Sequence, residues 1–216
     1  GDATANPLAP LLCHIGTYTP SWALLGAQVT GIDISPESLK YARRLAGQMG
    51  IEAAFIEADI LEVQDTVEQK FDIVFSSTGV LCWLPDIRRY AQTVRHLLKD
   101  DGFFYIFDGH PFRAVLLDEQ GNANPDTIQG DYFRKEVWQY EEMGDYTDPE
   151  LLLPVKSYEW HWTMGEVISA FCEAGMRIAF LHEFPQYFYN GYTPYDVQND
   201  KVELYPCTFS LKAMAR

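Results

Sequence analysis

The chain has 216 residues, and its 16 Lys and Arg against 31 Asp and Glu give a formal net charge of −15 at pH 7. This balance disfavours nucleic acid as the main partner, because such proteins neutralise rows of phosphates with basic side chains. With 47% hydrophobic and 14% aromatic residues, residues 1–216 are predicted to fold as one globular domain.

The first half of the chain alternates apolar runs with helical patterns. Residues 27–33 form a short β-branched run ending in Asp33, and the next residues predict a helix with Ser35 as N-cap and Pro36 at its first position. Leucine and alanine then recur at helical spacing up to Gly50, which stands where a glycine ends a helix. The sequence therefore predicts a strand followed by a helix.

Three further strands are predicted over residues 53–59, 71–77 and 103–108, with a helix over about 86–99. The last of these runs, FFYIFD, is almost continuously apolar, as is typical of a strand that is buried on both faces of a parallel sheet. Strands and helices alternate, which predicts an α/β fold with a doubly wound, mostly parallel sheet.

The pattern changes after the strand over 103–108. Residues 109–162 are rich in polar and aromatic side chains and are predicted to form an inserted lid or substrate-binding segment. A capping box at Thr163 predicts a final helix, followed by two strands over 176–184 and 205–213. Of the 31 aromatic residues, 23 lie beyond residue 100, so this half is expected to form the wall of an organic-ligand pocket.

Acidic residues end two neighbouring predicted strands. Ligands of doubly wound sheets bind at the carboxyl ends of the strands. Asp33 is placed there to accept hydrogen bonds from the two hydroxyls of a ribose. Asp59, one strand further, can accept a hydrogen bond from an exocyclic amine. Ile34 and Ile60 can hold a flat base between them. The pattern predicts an adenosine ligand.

At these residues the sequence resembles the class I S-adenosylmethionine-dependent methyltransferases, most closely those that act on small molecules. The matching motifs are Gly16 with GAQVTGIDIS (26–35), EADI (57–60), FDIVFSS (71–77) with VLCWLPD (80–86), and DGFFYIFD (101–108). The resemblance implies a seven-stranded sheet with an antiparallel last strand. It also implies S-adenosylmethionine as cofactor and in-line transfer of a methyl group to a small aromatic or apolar organic acceptor.

The resemblance also implies roles for individual residues. It implies that Gly16 approaches the methionine part of the cofactor, Asp33 the ribose, Asp59 and Ile60 the adenine, and Ser76 the sulfonium. The cofactor-binding set is completed by His14, Ile34, Ser35 and Ser77.

Two features depart from the family pattern. The usual Gly-x-Gly-x-Gly loop reads Leu12-Cys13-His14-Ile15-Gly16, so two positions lack the easy access of glycine to positive φ. Pro10 stands in the first predicted strand although proline cannot donate to a ladder, which indicates either an irregular strand or a chain that is cut near that point.

Two histidines of the second half are candidates for contact with substrate. His110 follows the strand over 103–108 and is predicted to take a proton from the acceptor, with an ordinary loop histidine as the alternative. His161 is expected to lie in a surface β-ladder, with substrate contact as the alternative. The side chains expected to face the acceptor are Trp138, Tyr140, Trp160, Trp162, Tyr187 and Tyr189. A solvated rim is expected from Asp118, Glu119, Glu141 and Glu142.

No apolar run reaches the roughly 18 residues of a membrane span, and residues 1–10 do not resemble a signal peptide. We therefore expect a cytoplasmic protein without a membrane partner. Cys13, Cys82, Cys172 and Cys207 lie far apart, and the five histidines show no ligand spacing. We expect reduced, mostly buried thiols and no metal site.

Two other functions compete with methyl transfer. A nicotinamide-dependent oxidoreductase is disfavoured, because only one of the three fingerprint glycines is present and no tyrosine has a lysine four positions later. A protein that binds the cofactor without turnover stays open because of the altered glycine loop. The sequence determines neither the atom that is methylated nor the oligomeric state.

Overall fold

The computed structural model describes residues 3–116, 128, 130–141, 143–145, 148–153, 156–185 and 205–215, with the backbone alone for 143–145 and 148–153. Five residues expected at the acceptor site or on its rim lie outside these ranges: Asp118, Glu119, Glu142, Tyr187 and Tyr189.

The described chain contains eleven strands and four α-helices. The strands are β1 (Pro7–Pro10), β2 (Gln28–Asp33), β3 (Ala54–Glu57), β4 (Phe71–Ser77), β5 (Leu98–Gly109), β6 (Trp138–Tyr140), β7 (Met143–Asp145), β8 (Asp148–Leu153), β9 (Ser157–Glu159), β10 (Arg177–Phe184) and β11 (Thr208–Met214). The α-helices are α1 (Tyr18–Leu24), α2 (Pro36–Gln48), α3 (Ile87–Leu97) and α4 (Met164–Glu173), and 3-10 turns lie at Val63–Asp65, Leu81–Trp83 and Pro111–Leu116.

Seven strands form one sheet in the order β10-β11-β5-β4-β1-β2-β3. The pairs among β1 to β5 are parallel, whereas β11 runs antiparallel to both β5 and β10. This arrangement confirms the predicted doubly wound, mostly parallel sheet with an antiparallel last strand. The order reverses at β1, so the carboxyl ends of β1, β2 and β4 meet at the switch point of the sheet.

The central strand β1 is irregular around Pro10. Its pairing with β2 covers Pro7 and Leu8 and resumes only as an isolated bridge at Leu11. On the other side, Pro10 pairs with Phe75 of β4, and the N–H of Leu11 donates to the carbonyl of Phe75 over 2.9 Å. A proline in this central position therefore interrupts one ladder and leaves the other in place.

Helices cover both faces of the sheet, and alternate residues of the strands face different apolar clusters. Val74 and Phe104 belong to the larger cluster, which also contains α3 and α4 side chains such as Tyr90 and Phe171. Ile73 and Phe75 belong to a second cluster, against which α1 packs. The sheet is thus buried on both sides, as the apolar runs of its strands predict.

Local signals fix the helix ends. Ser35 caps α2 by accepting a hydrogen bond from the N–H of Ser38 over 3.2 Å, and Gly50 follows its C-cap with φ +65°. The capping box at Thr163 is present on α4. Helix α3 ends at Leu97 rather than near 99, because Leu98 is already extended and pairs with Phe71 of β4. None of the helices in the described ranges is long and apolar enough to cross a membrane.

Between β5 and α4 the chain forms a 3-10 turn and two small antiparallel sheets, β6 with β9 and β7 with β8. The β-ladder expected around residues 158–162 therefore exists. It ends at Glu159, two residues before His161, so His161 is not part of it.

Candidate functional site

A cavity of about 860 Å³ opens at the carboxyl ends of the parallel strands. Its wall has two parts. Strand ends supply the strand-end wall, which includes Leu12, His14, Asp33, Ile34, Ser77 and Thr78. The segment after β5 supplies the insertion wall, which includes His110, Arg113, Arg134, Trp138, Glu159 and His161.

Asp33 is held rigidly at the end of β2. Its Oδ2 accepts the N–H of His14 over 2.7 Å, and its Oδ1 accepts the N–H of Ser35 over 2.9 Å. An ionised carboxylate has about four acceptor positions, so each oxygen keeps one for a ligand. Ile34, 63% exposed, lies next to it on the cavity wall. A fixed carboxylate beside an exposed apolar side chain suits a diol joined to a flat base.

Two hydroxyls near the strand ends have no hydrogen-bond partner among the described residues. Thr19 Oγ1 and Ser77 Oγ are buried without a hydrogen-bond partner in the part of the chain that the structure describes, and both residues line the cavity. Buried hydroxyls are normally hydrogen-bonded, since an unsatisfied one loses its hydration. Their position in the wall indicates a site for polar ligand groups.

Backbone strain is concentrated at the same wall. Leu12, His14 and Thr78 have positive φ angles of 49°, 51° and 41°, which cost about 1–3 kcal/mol each for residues other than glycine. The loop after β1 thus adopts the left-handed conformation at both positions where the family pattern has glycine. Strain of this kind persists where surrounding structure holds it, and it clusters at ligand sites.

Several residues expected at the cofactor lie elsewhere. Ser76 is fully buried, and its Oγ is 2.6 Å from the hydroxyl of Tyr90 in the core, so it does not reach the cavity. Ile60 packs in the larger core cluster rather than on a base. Neighbouring strand residues point to opposite faces, which is why Ser77 and not Ser76 faces the cavity.

Two more expected residues do not line the cavity. Asp59 is exposed at the end of β3, and its Oδ1 accepts the N–H of Leu61 over 2.9 Å. Its contact with adenine stays a prediction. A Cβ added to Gly16 would lie 2.8 Å from the Cβ of Ala42. Because Gly16 has no side chain, α2 can approach the loop closely and fix its position. Gly16 itself does not line the cavity.

Asp108 was not identified from the sequence as a site residue. It is buried at the end of β5, and its carboxylate accepts four backbone N–H groups, those of Gly79, Val80, Leu81 and Gly109, over 2.5–3.1 Å. Burial raises the pKa of Asp108, and the four N–H groups act in the opposite direction. The contact fixes the turn after β4 against β5. The only sequence signal is an acid ending a strand before glycine.

His110 lines the cavity, but both ring nitrogens face protein groups. Nδ1 accepts the N–H of Phe112 over 3.0 Å, and Nε2 lies 2.8 Å from Oε1 of Glu183. Burial lowers the pKa of His110, and Glu183 acts against this effect. Because Nδ1 is already an acceptor for backbone, the geometry favours a structural histidine over the expected proton acceptor.

The insertion wall combines aromatic rings with charges. The guanidinium of Arg134 lies 4.9 Å from the ring centroid of Trp138, a cation–π contact. Burial raises the pKa of Glu159, while Arg113 lowers it. Arg113, Arg134 and Glu159 were not identified from the sequence, because nothing local shows which side of a 3-10 turn, a loop or a three-residue strand faces inward.

Neither of the two cysteines that line the cavity, Cys13 and Cys82, supplies a reactive thiolate. Burial, with a smaller effect of Asp33, raises the pKa of Cys13 to about 12, and burial also raises the pKa of Cys82. The expectation of mostly buried thiols is wrong, since only Cys207 is buried, while Cys172 is exposed on α4 and the other two are half-buried. Within the described ranges, no three His, Cys, Asp or Glu side chains form a candidate metal site.

The chain resembles known proteins in part of its sequence and over nearly its whole fold. The family model described as "Methyltransferase domain" matches residues 11–104. A solved S-adenosylmethionine-dependent methyltransferase from Mesorhizobium loti superposes with a TM-score of 0.68 at 21% identity, over 99% of this chain and 93% of its own. One from Clostridium acetobutylicum superposes with a TM-score of 0.66 at 14% identity, over 96% and 83%. The chain therefore shares the fold of these methyltransferases, and residues 11–104 match a methyltransferase domain.

Curated relatives match only part of this chain. A ubiquinone biosynthesis O-methyltransferase of Serratia proteamaculans is 31% identical over 93 residues, which are 43% of this chain and 38% of that protein. The methyltransferase phqN of Penicillium fellutanum is 28% identical over 116 residues, 52% of this chain and 33% of that protein. The chain thus spans less than half the length of these relatives.

Proposed function

We propose that the protein transfers a methyl group from S-adenosylmethionine to a small organic acceptor. The observation that carries this proposal is the Asp33 carboxylate, fixed by two backbone N–H groups beside Ile34 at the switch point of the sheet. Binding of a ribose diol and a base at this place is the arrangement that the family's fold provides at its strand ends.

The residues present fit such a cofactor. Asp33 would accept from the ribose hydroxyls, and Ile34 would pack on the base. The unpartnered hydroxyls of Thr19 and Ser77, as found among the described residues, would meet polar groups further along the cavity, near the strained loop that contains His14. The contribution of Asp59 to the adenine belongs to the same proposal.

The bound cofactor supplies an activated methyl group, so the protein needs no nucleophilic side chain. The protonated thiols of Cys13 and Cys82 agree with this role. What remains for the protein is to align the acceptor and exclude water. The aromatic side chains of the insertion wall, Trp138, Trp160 and Trp162, line the cavity for that purpose.

We further propose that residues 109–162 form the substrate-binding segment and lid, and that the acceptor is flat or apolar. The names of the curated relatives, ubiquinone biosynthesis O-methyltransferases among them, support a small organic acceptor.

The acidic net charge of −15 supports the absence of a nucleic-acid partner. We also propose that the protein is cytoplasmic.

The test combines calorimetry with a transfer assay. We expect S-adenosylhomocysteine to bind the folded protein with one site per chain, and labelled methyl groups to pass from S-adenosylmethionine to members of a panel of phenols, catechols and small amines. A folded protein that binds neither S-adenosylmethionine nor S-adenosylhomocysteine would contradict the proposal. Binding without transfer to any acceptor would instead favour a non-catalytic cofactor-binding protein.

A further inference from the structure

We infer that His161 is the proton acceptor of the transfer and that the acceptor molecule carries an acidic hydroxyl, such as that of a phenol. The inference rests on the proposed function and concerns the insertion wall. It replaces His110, whose Nδ1 already accepts a backbone N–H.

The structure fixes the tautomer of His161. Its Nε2 lies 2.8 Å from the backbone carbonyl oxygen of Tyr132. A carbonyl oxygen only accepts, so Nε2 carries the hydrogen, and Nδ1 of the neutral ring carries the lone pair. Burial lowers the pKa of His161, which favours the neutral ring.

Nδ1 is available to a ligand. No group among the described residues hydrogen-bonds to this nitrogen. Nδ1 is also not among the buried polar atoms that lack a partner, so it is accessible. His161 also lines the cavity, between Trp160 and Trp162. A proton acceptor requires such an accessible lone pair on a residue of the cavity wall.

The imidazole is held in place by its surroundings. The ring of Tyr132 meets that of His161 edge-to-face, with centroids 5.8 Å apart. The hydroxyl of Tyr132 accepts the N–H of Met164 over 2.9 Å, at the capped start of α4. Tyr132, whose carbonyl fixes the tautomer of His161, is thus itself bonded to the start of α4. This arrangement preorganises the imidazole of His161.

The flanking residues of His161 are joined to the turn after β4. The indole N–H of Trp162 donates to the carbonyl of Leu84 over 2.9 Å, and the N–H of Trp160 donates to that of Cys82 over 2.8 Å. Asp108 anchors the same turn. These contacts fix the segment that carries His161 to the sheet whose strand ends are proposed to bind the cofactor.

The proton and the electrons balance without a further reactant. As the hydroxyl oxygen forms its bond to the methyl carbon, its proton passes to Nδ1 of His161, and the electrons of the methyl–sulfur bond remain on sulfur. The positive charge of the sulfonium is thereby replaced by that of the imidazolium. An acidic hydroxyl on an aromatic ring suits this base, since Trp138, Trp160 and Trp162 line the same cavity as His161 and efficient proton transfer needs matched pKa values.

The charged groups around His161 act in both directions. Glu166 on α4 and Asp131 favour its protonated form, and Lys135 disfavours it. The cavity wall also carries Glu136, Glu159, Arg113 and Arg134. We expect kcat/KM of the wild-type protein to fall at acidic pH, as His161 becomes protonated.

The first test uses 3,4-dihydroxybenzoate and other catechols as probes in the transfer assay. His161→Gln keeps an N–H for the Tyr132 carbonyl but has no basic nitrogen. We expect kcat to fall by about 10²–10⁴-fold, the acidic limb of the pH profile to disappear, and S-adenosylhomocysteine affinity to stay within about twofold. The control His182→Gln changes an exposed histidine stacked on Phe180 of β10, and full activity is expected.

The second test needs no turnover. Long-range 15N correlation spectra of the wild-type protein should show His161 as the Nε2–H tautomer, with a pKa below the usual 6.5. An Nδ1–H tautomer overturns the inference even if no probe is methylated. Methylation by His161→Gln at the wild-type rate overturns the inference and leaves the proposed function intact. A wild-type protein that binds no S-adenosylhomocysteine contradicts the proposed function itself.

Discussion

The strand-end wall and the insertion wall of the cavity are built differently. In the strand-end wall, Asp33 is fixed by the backbone N–H of Ser35, two residues away, and by that of His14 on the neighbouring loop. In the insertion wall, His161 depends on Tyr132, 29 residues earlier, and Trp162 depends on Leu84, 78 residues earlier. The proposed cofactor site thus depends on contacts between residues 2 and 19 positions apart, and the proposed acceptor site on contacts between residues 29 and 78 positions apart.

The largest expected effect tests whether the strand-end wall binds the cofactor. Asp33→Ala removes the acceptor of two ribose hydroxyls, and hydrogen bonds to a charged group contribute about 1.5–3 kcal/mol each. We expect calorimetry to show an affinity for S-adenosylhomocysteine lowered at least about 100-fold.

The matched control is Asp72→Ala, which removes a carboxylate paired with Lys99 near the amino-terminal end of β4. Its affinity should equal that of the wild type. An Asp33→Ala protein that binds as tightly as this control would remove the ribose assignment.

The second prediction concerns the approach of α2 to the loop after β1. Gly16→Ala places a Cβ 2.8 Å from that of Ala42 at a φ of +76°, so we expect the free energy of unfolding to fall by about 2–3 kcal/mol. Gly47→Ala is the control, because Gly47 lies in α2 with nothing within 4 Å of an added Cβ. Denaturant titration should show the control stabilised by about 0.5–1 kcal/mol.

The third prediction concerns the helix that supports the insertion wall. Burial alone would raise the pKa of Glu166, but its bonds to Lys135 and Thr163 lower it below the usual 4.5. A depressed carboxyl pKa adds stability above the unfolded pKa and loses it as the pH falls through the folded one. Glu166→Gln should cost about 1 kcal/mol at pH 7 and almost nothing at the acidic end of a titration.

Chemical denaturation of wild type and Glu166→Gln at several pH values checks this difference. A gap between the two proteins that stays constant from neutral pH down through the acidic range, in which the carboxyl becomes protonated, would show that the carboxylate charge does not stabilise the capping box.

The smallest effect concerns strain in the strand-end wall. His14→Gly removes the cost of a left-handed conformation, about 1–2 kcal/mol, but adds unfolded-state entropy worth about 0.4–1 kcal/mol. We expect a net stabilisation of about 1 kcal/mol or less in thermal unfolding. Ala5→Gly relieves a φ of 61° outside the cavity, and should stabilise similarly without changing cofactor affinity. A destabilised His14→Gly would show that the imidazole itself supports the loop.

Sequence reasoning succeeded where the signal is local. Asp33, Ser35 and Thr163 were identified because a strand end, an N-cap or a capping box needs only a few neighbouring residues. It failed at Ser76 and Ile60, since the residue type at a strand end does not show which face of the sheet it occupies. It also assigned the proton acceptor to His110, because the backbone N–H that occupies its ring nitrogen is invisible in the sequence.

The amino-acid sequence by itself determined the alternation of strands and helices, their caps and the acid at the end of β2, because hydrophobic period and capping act within a few residues. Only the tertiary structure decided that Asp108 anchors the turn after β4, that the loop without its glycines still adopts positive φ, and that His161 faces the cavity. Those properties depend on side chains and backbone groups that are distant along the chain and meet only when the sheet is assembled.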